Sequence, residues 1–274
     1  METETPLGPP VHTRPRELDP SVGDHPGPPI VEPAPDGFAA EFAARFGPTN
    51  PVRVFILALI TGWAFLVTFM VFLGLLLIHV ILDVGGLREA DEDLIQWLED
   101  NRSPGLEDAS WVGSTLAGGH VIPAVIGISL VVLLIMRKWL LAAFVALVVA
   151  LESATYRATS LVVERERPDV ERLEGLPVDA SYPSGHTAAS IALYGGILLL
   201  LASRIQSTAF RIVALLVGIA IPLFVGWARM YRGMHHLSDV GAGMLMGLGA
   251  VAIMVFAARA SRAAAYRRDA ETTT

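Results

Sequence analysis

Long apolar runs constrain the fold of this chain more than any other feature. A helix needs roughly 20 mostly apolar residues to cross the hydrocarbon core of a bilayer. Hydrophobic residues make up 53% of the 274 positions, which exceeds the share typical of a soluble domain. The sequence therefore predicts an all-α integral membrane bundle of six transmembrane helices, within a membrane domain of residues 51–258. The predicted spans cover residues 52–84, 112–136, 139–163, 186–202, 212–228 and 236–258.

The two ends of the chain differ from the membrane domain in composition. Residues 1–50 hold eleven of the eighteen prolines, which predicts a disordered cytoplasmic tail. Within it, Phe38, Phe42 and Phe46 recur at every fourth position. This spacing fits either a short amphipathic helix on the membrane surface or an unstructured linker. Residues 259–274 carry four arginines and are predicted to form a basic cytoplasmic tail.

Positive charges set the predicted orientation, because short loops rich in arginine and lysine stay in the cytoplasm. Such loops follow the second and fourth predicted spans, and basic residues also flank the first and last. Both termini of this multi-pass cell-membrane protein are therefore predicted to be cytoplasmic. The acidic segment 88–108, with a short amphipathic helix, and the loop 164–185 then lie outside. That loop contains Arg165, Arg167 and Arg172 against the trend, which indicates a functional role for arginine there.

Three polar clusters fall on the predicted outer face, at residues 165–168, 182–186 and 229–239. The planar guanidinium group of arginine matches the oxygens of a phosphate, so Arg167 and Arg229 are predicted to clamp one phosphoryl group. Ser184, Gly185 and His186 open the fourth span. The free N–H groups at a helix start bind anions, which makes this turn a second part of the predicted phosphate site.

Two histidines in these clusters supply the predicted chemistry. His235 lies four residues before Asp239, and residues with this spacing share one face of a helix. The Asp239 carboxylate can then fix the tautomer of a nucleophilic imidazole. His186 is available as a general acid for the leaving alkoxide. The arginines provide the positive charge that a metal would provide, so the site is predicted to need no metal and no cofactor.

At these residues the sequence resembles the type 2 phosphatidic acid phosphatases, which are relatives of the vanadium-dependent haloperoxidases. The family pattern is a lysine, six residues and Arg-Pro, then Pro-Ser-Gly-His, then Ser-Arg, five residues, His, three residues and Asp. The matching positions are Arg167-Pro168, the run 183–186, and Arg229, His235 and Asp239. The resemblance spans roughly residues 140–258.

The resemblance implies a six-helix membrane phosphatase whose site is built from the outer loops. It implies that His235 is the nucleophile, that Asp239 orients it and that His186 protonates the leaving group. It also implies that phosphate is bound by Arg167, Ser184, Gly185 and Arg229.

The chain departs from the family pattern at two positions, with Ser160 in place of the lysine and Ala228 in place of a serine. Losing the lysine removes one positive charge from the phosphate site. Arg157 is predicted to replace it, since it lies three residues from Ser160 on the same helix face and can extend toward the phosphate. An ion pair between Arg157 and Glu152 is the alternative, and Arg165 is a second replacement.

The function predicted from these residues is hydrolysis of lipid phosphomonoesters or pyrophosphates through a phosphohistidine. Possible substrates are phosphatidate, phosphatidylglycerol phosphate and a polyprenyl pyrophosphate. The expected partners are the lipid phosphate and the bilayer, and no nucleic acid. Three alternatives stay open: a lipid phosphotransferase, a non-catalytic lipid-phosphate binder or transporter, and a vanadate-dependent oxidase. The six spans argue against the last, because those relatives are soluble.

Overall fold

The computed structural model describes residues 29–175 and 180–272. All of its regular elements are helices, and most of the predicted disordered tail, residues 1–28, lies outside the described residues. The α-helices are α1 (Phe38–Phe46), α2 (Pro51–Leu76), α3 (Leu87–Asp100), α4 (Pro104–Leu116), α5 (Val121–Ile135), α6 (Trp139–Ser160), α7 (Gly185–Ser190), α8 (Gly196–Ala202), α9 (Thr208–Tyr231) and α10 (Leu237–Thr272). Wider π-helical turns at Leu77–Ile81 and Ile191–Gly195 extend α2 and join α7 to α8.

The predicted six-span membrane bundle is confirmed, with one span broken. Five helical stretches in the described chain are long and apolar enough to cross a bilayer, and α4 with α5 forms a sixth that bends by 47°. The sequence predicted one helix over residues 112–136, whereas the structure has two helices joined by residues 117–120. The reason is local, because Gly118 and Gly119 lie in this joint and glycine disfavours a continuous helix.

Helix α10 lies at the centre of the bundle and packs on α2, α6, α7 and α9. Glycines on α10 allow the backbone of α7 to approach it closely, as the sequence pattern predicts. A Cβ atom added at Gly243 would lie 2.4 Å from the carbonyl oxygen of Ser184, and one added at Gly247 would lie 2.7 Å from that of Ala188. Gly243 therefore sets the position of the turn that opens the fourth span.

We expect Gly243→Ala to reduce activity by about 10²-fold, because displacing catalytic groups by about 1 Å has an effect of this size. The new methyl group would meet a backbone oxygen of Ser184, which a side-chain rotation cannot relieve. Gly241→Ala is the matched control, since a Cβ there meets no atom within 4 Å. Steady-state rates of the two purified variants check the prediction, and equal rates would show that the Ser184 turn tolerates displacement.

The N-terminal segment that the structure describes is folded onto the C-terminal extension of α10. The predicted helix over Phe38–Phe46 is confirmed, but Ala43 is its most buried residue and Phe38 is 73% exposed. The Phe42 ring lies 5.4 Å from that of Phe256, and Glu32 forms an ion pair of 2.5 Å with Arg262. The predicted disorder therefore does not extend over residues 29–50.

The division predicted at residue 258 also differs from the structure, because α10 continues without a break to Thr272. The sequence beyond residue 256 is rich in alanine, the residue with the highest helix propensity. Ala260 and Ala264 are fully buried, in a cluster with Ala43 and Val54. The last helix thus gains a packed face from α1 where the composition predicted only a basic tail.

Helix α3 confirms the amphipathic helix predicted in the acidic segment. Ile95 and Leu98 are buried in a small cluster with Tyr231, at the end of α9. Asp91 on the same face is also buried. The packing places an acidic helix beside the turn between α9 and α10, where the third predicted cluster lies.

Candidate active site

The bundle brings the three polar clusters together at one end. The loop after α6 carries Arg167, α7 begins beside it with His186, and the turn between α9 and α10 carries His235. The charged groups that act on the His235 imidazole are Arg229, Asp239, Arg167 and His186. Residues spread over more than 70 positions of sequence therefore share one site.

Arg229 is completely buried at the end of α9. Its Nη1 atom donates hydrogen bonds of 2.6 Å to Ser114 Oγ and of 2.6 Å to Glu174 Oε2. Its Nε and Nη2 atoms are buried and have no partner among the described residues. Leaving buried donors unpaired costs free energy, so this edge of the guanidinium is arranged for an anion.

His235 is held by a backbone carbonyl. Its Nδ1 atom lies 2.8 Å from the carbonyl oxygen of Ser181. A carbonyl only accepts hydrogen bonds, so Nδ1 carries the proton and Nε2 keeps its lone pair. Burial, followed by the positive charge of Arg229, holds the pKa of His235 well below its usual range. The imidazole is therefore neutral at neutral pH, which is the form that a nucleophile requires.

Asp239 does not make the direct contact with His235 that the spacing predicted. Helix α10 begins at Leu237, so His235 precedes it and the i, i+4 geometry does not apply. The carboxylate instead accepts hydrogen bonds from Ser181 Oγ at 2.6 Å and from the backbone N–H of His236 at 2.9 Å. Its hydrogen-bonded connection to His235 runs through Ser181, whose carbonyl holds Nδ1.

Arg165 is tied to carboxylates on two helices. One Nη atom lies 2.5 Å from Asp239 Oδ1, and the other lies 2.8 Å from Asp91 Oδ2 on α3. Asp91 also accepts hydrogen bonds from the backbone N–H and the hydroxyl of Ser238. These two carboxylates balance the charge of Arg165, so it does not replace the missing lysine as a phosphate ligand.

His236 forms a second link between α3 and the turn. Its Nε2 atom lies 2.8 Å from Glu92 Oε2, and its Nδ1 atom lies 3.2 Å from Asp239 Oδ2. Sequence reasoning missed Asp91 and Glu92 as neighbours of the site. Their only signal was the acidic composition of α3.

The other predicted phosphate ligands lie at the start of α7 and in the loop before it. Ser184 is buried, its N–H donates to the carbonyl oxygen of Asp239 at 3.0 Å, and its Oγ lies 2.9 Å from the Thr187 hydroxyl. Arg167 donates to the carbonyl oxygens of Met234 and, at 3.2 Å, Ala180. These bonds join the turn, the loop and α10 into one frame around the histidines.

Gly185 packs against an aromatic ring. A Cβ atom added there would lie 3.1 Å from the ring of Tyr156 on α6. This contact explains why a residue without a side chain suits the first position of α7.

Arg157 is not brought into this frame. It is exposed at the end of α6, and the described residues give its guanidinium no hydrogen bond or ion pair. The buried residues Thr155 and Thr159 each lie two positions away, which is about 200° around a helix. The alternative pairing also fails, because Glu152 is buried and accepts a hydrogen bond from Ser153 and none from Arg157. The structure thus corrects the prediction that Arg157 replaces the lysine.

A second buried arginine, Arg232, lies close to Arg229 and was missed from the sequence. Its Nε atom lies 2.5 Å from Glu174 Oε1, and its Nη1 atom lies 3.2 Å from Ser110 Oγ. Glu174, in the loop 164–184, therefore bridges two arginines. The spacing of the sequence gave no signal for this contact, because Glu174 is 55 and 58 positions from its partners.

One end of this helical membrane bundle contains buried arginines and two histidines. This combination is typical of a phosphate-binding membrane protein. The model of the PAP2 superfamily matches residues 137–262, which confirms the predicted resemblance to this family. The matched region runs from just before α6 into α10 and includes every predicted site residue.

Individual relatives are more distant. The chain is 32% identical over 81 residues to the probable diacylglycerol pyrophosphate phosphatase 1 of Schizosaccharomyces pombe, an alignment that covers 28% of this chain and 29% of that protein. The chain thus spans less than a third of that relative's length. The crystal structure of the first transmembrane PAP2 type phosphatidylglycerolphosphate phosphatase from Bacillus subtilis aligns with a TM-score of 0.59 at 21% identity. That alignment covers 75% of this chain and 94% of the other, which shows a shared fold.

Proposed function

We propose that this protein is a membrane phosphatase that hydrolyses phosphomonoesters or diphosphates of lipids through a phosphohistidine on His235. The observation that carries the proposal is the free edge of Arg229, whose Nε and Nη2 atoms are buried and unpaired among the described residues. The same guanidinium acts electrostatically on both His235 and His186. A phosphoryl group bound there would meet a neutral imidazole with its Nε2 lone pair available.

The proposed reaction has two steps. In the first, His235 Nε2 attacks phosphorus, the bond to the leaving oxygen breaks, and His186 gives that oxygen a proton. In the second, water attacks the phosphohistidine, His186 takes a proton from the water, and phosphate leaves with His235 restored. Arg167 and Arg229 balance the charge on the transferring group.

The turn at Ser184 and Gly185 is the remaining part of the proposed phosphate site. The Ser184 N–H donates to the carbonyl oxygen of Asp239, so the donors available to phosphate are those from Gly185 onward, where first-turn N–H groups lack intrahelical partners. Asp239 contributes indirectly, since it holds Ser181 and balances Arg165. No cluster of three or more His, Asp or Glu residues that could hold a metal ion occurs in residues 29–175 and 180–272. The proposed mechanism takes its positive charge from Arg167 and Arg229 instead.

We also propose that the site faces the extracytoplasmic side of the cell membrane, with both termini in the cytoplasm. The support is the distribution of arginine and lysine between the loops. Lipid substrates would approach within the membrane. The relatives' names place diacylglycerol pyrophosphate and phosphatidylglycerol phosphate among the head groups to be tested, and the sequence motifs add phosphatidate and a polyprenyl pyrophosphate.

The test is phosphate release by the purified protein in mixed micelles, across a panel of lipid monophosphates and diphosphates with EDTA present. We expect release from at least one lipid, with inhibition by vanadate, which adopts the trigonal-bipyramidal geometry of the transferring group. Activity that is lost in EDTA and restored by Mg²⁺ would contradict the metal-free mechanism. A folded protein that releases no phosphate from any lipid would contradict the proposed hydrolysis.

A further inference from the structure

Arg229 presents two separate edges, and only one of them is free. The edge formed by Nε and Nη2 is unpaired, while Nη1 faces the Glu174 carboxylate at 2.6 Å. The other oxygen of that carboxylate lies 2.5 Å from Arg232 Nε. Glu174 therefore occupies a position between two arginines, directly beside the proposed phosphate site.

The surroundings of this position are those of an anion-binding site. Ser114 Oγ on α4 lies 2.6 Å from Arg229 Nη1, the same atom that faces the Glu174 carboxylate. Arg229 and Ser114 are fully or almost fully buried, and Arg232 is 7% exposed. Two charged guanidinium groups and a hydroxyl on a rigid frame are the donors that proteins use for phosphate oxygens.

Glu174 binds there as a charged group. Partial burial raises the pKa of its carboxyl, but the positive charge of Arg229, the hydrogen bonds from Ser114 and Arg229, and the charge of Arg232 outweigh this effect and lower the pKa. At neutral pH the position therefore contains a carboxylate anion supplied by the chain itself.

The Glu174 carboxylate contributes to the electrostatic environment of the proposed general acid. The charged groups that act on the His186 imidazole are Arg229, Glu174 and Arg167, and His186 is the proposed proton donor to the leaving oxygen. Glu174 also shares Arg229 with the proposed phosphate site, at 2.6 Å. A leaving group that carries its own negative charge would thus meet the Glu174 carboxylate.

We propose that Ser114, Arg229 and Arg232 form a second anion subsite, which accepts the inner phosphate of a diphosphate head group, and that Glu174 fills this subsite and biases the protein toward phosphomonoesters. The inner phosphate of a diphosphate must displace Glu174 or lie next to it, and like charges at this range repel. A phosphomonoester such as phosphatidate has an uncharged leaving alcohol and leaves Glu174 in place.

This inference rests on the proposed phosphatase function, and its test uses two lipids with identical chains, one with a monophosphate and one with a diphosphate head group. The measured quantity is the ratio of kcat/KM for diphosphate to kcat/KM for monophosphate. We expect Glu174→Gln to raise this ratio by about tenfold or more, since removing one charge contact between buried groups has an effect of this order.

The matched control is Glu171→Gln, which removes the same charge from the same loop. Glu171 is exposed, and its side chain makes no hydrogen bond or ion pair with the described residues. A ratio that changes equally in the two variants, or not at all in Glu174→Gln, would overturn the proposed subsite while leaving the phosphatase function intact.

If the wild-type protein hydrolyses neither lipid, the binding of inorganic anions still tests the second anion subsite separately from the phosphatase function. Equilibrium binding of labelled inorganic diphosphate and labelled inorganic phosphate is measured on the same purified proteins. We expect Glu174→Gln to bind diphosphate about tenfold more tightly relative to phosphate than wild type does. Unchanged relative affinity would reject the second subsite independently of any catalytic activity.

Discussion

His235→Ala should abolish phosphate release, with a decrease in kcat of at least about 10⁴-fold, as expected when the nucleophile of a covalent mechanism is removed. Alanine offers no atom that can attack phosphorus, while Arg167 and Arg229 still bind the phosphate. We therefore expect KM, or the affinity for inorganic vanadate, to change far less than kcat. Steady-state kinetics on the best substrate of the panel measure both quantities.

The control for this substitution is His120→Ala. His120 is an exposed histidine in the joint between α4 and α5, so its removal tests for non-specific effects of losing an imidazole. A second measurement tests the covalent intermediate directly. Brief reaction of wild-type protein with ³²P-labelled substrate should leave label on the protein that is stable in base and released in acid. Label of this kind in His235→Ala would show that another group is the nucleophile.

The sequence predicted the membrane spans well because a bilayer imposes a length and an apolar composition on each helix. It could not predict the bend between α4 and α5, or the packing of α1 on the end of α10. The bend follows from two adjacent glycines in an otherwise apolar run, and the packing of α1 depends on contacts between segments that are distant in sequence. The burial of Ala260 and Ala264, for example, requires Ala43 as a neighbour.

The arrangement around the nucleophile shows the same limit at the scale of single atoms. The spacing of His235 and Asp239 predicted a direct contact on a helix, but a helix that begins two residues later rotates the imidazole toward the carbonyl of Ser181. Ser181 is 54 positions from His235. Because the contact uses a backbone carbonyl, the pattern of side chains in the sequence does not predict it. The sequence therefore predicted which residues form the site. It did not predict that Asp239 and His235 are connected by hydrogen bonds through Ser181.

The structure identifies a cation near the site that could take the place of the missing family lysine, and the sequence did not indicate it. Arg157 is exposed and has no hydrogen bond or ion pair among the described residues. Arg165 is neutralised by Asp91 and Asp239, so the structure holds neither arginine in the site as an unpaired cation. Arg232 is the remaining buried arginine beside Arg229, and its charge is balanced by Glu174 in this state. The positive charge of Arg232 can therefore act on a substrate only when that substrate displaces the Glu174 carboxylate.

His186→Gln should show a large and selective effect that depends on the leaving group. General acid catalysis contributes about 10²–10⁴-fold when a poor leaving group must be protonated. We therefore expect kcat/KM for an alkyl lipid phosphate to fall by about 10³-fold. The fall for p-nitrophenyl phosphate should be at most about tenfold, because nitrophenolate leaves without a proton.

The second step gives this prediction an independent readout. Without His186 no imidazole accepts a proton from the attacking water, so the phosphohistidine should accumulate. Rapid mixing of His186→Gln with p-nitrophenyl phosphate should then release a burst of nitrophenol that approaches one equivalent per protein, followed by a slow steady state. Gln keeps a hydrogen-bonding group at the start of α7, and its inability to transfer protons is the change under test. Equal losses on the alkyl and aryl substrates, with no burst, would mean that His186 binds phosphate and does not transfer the proton.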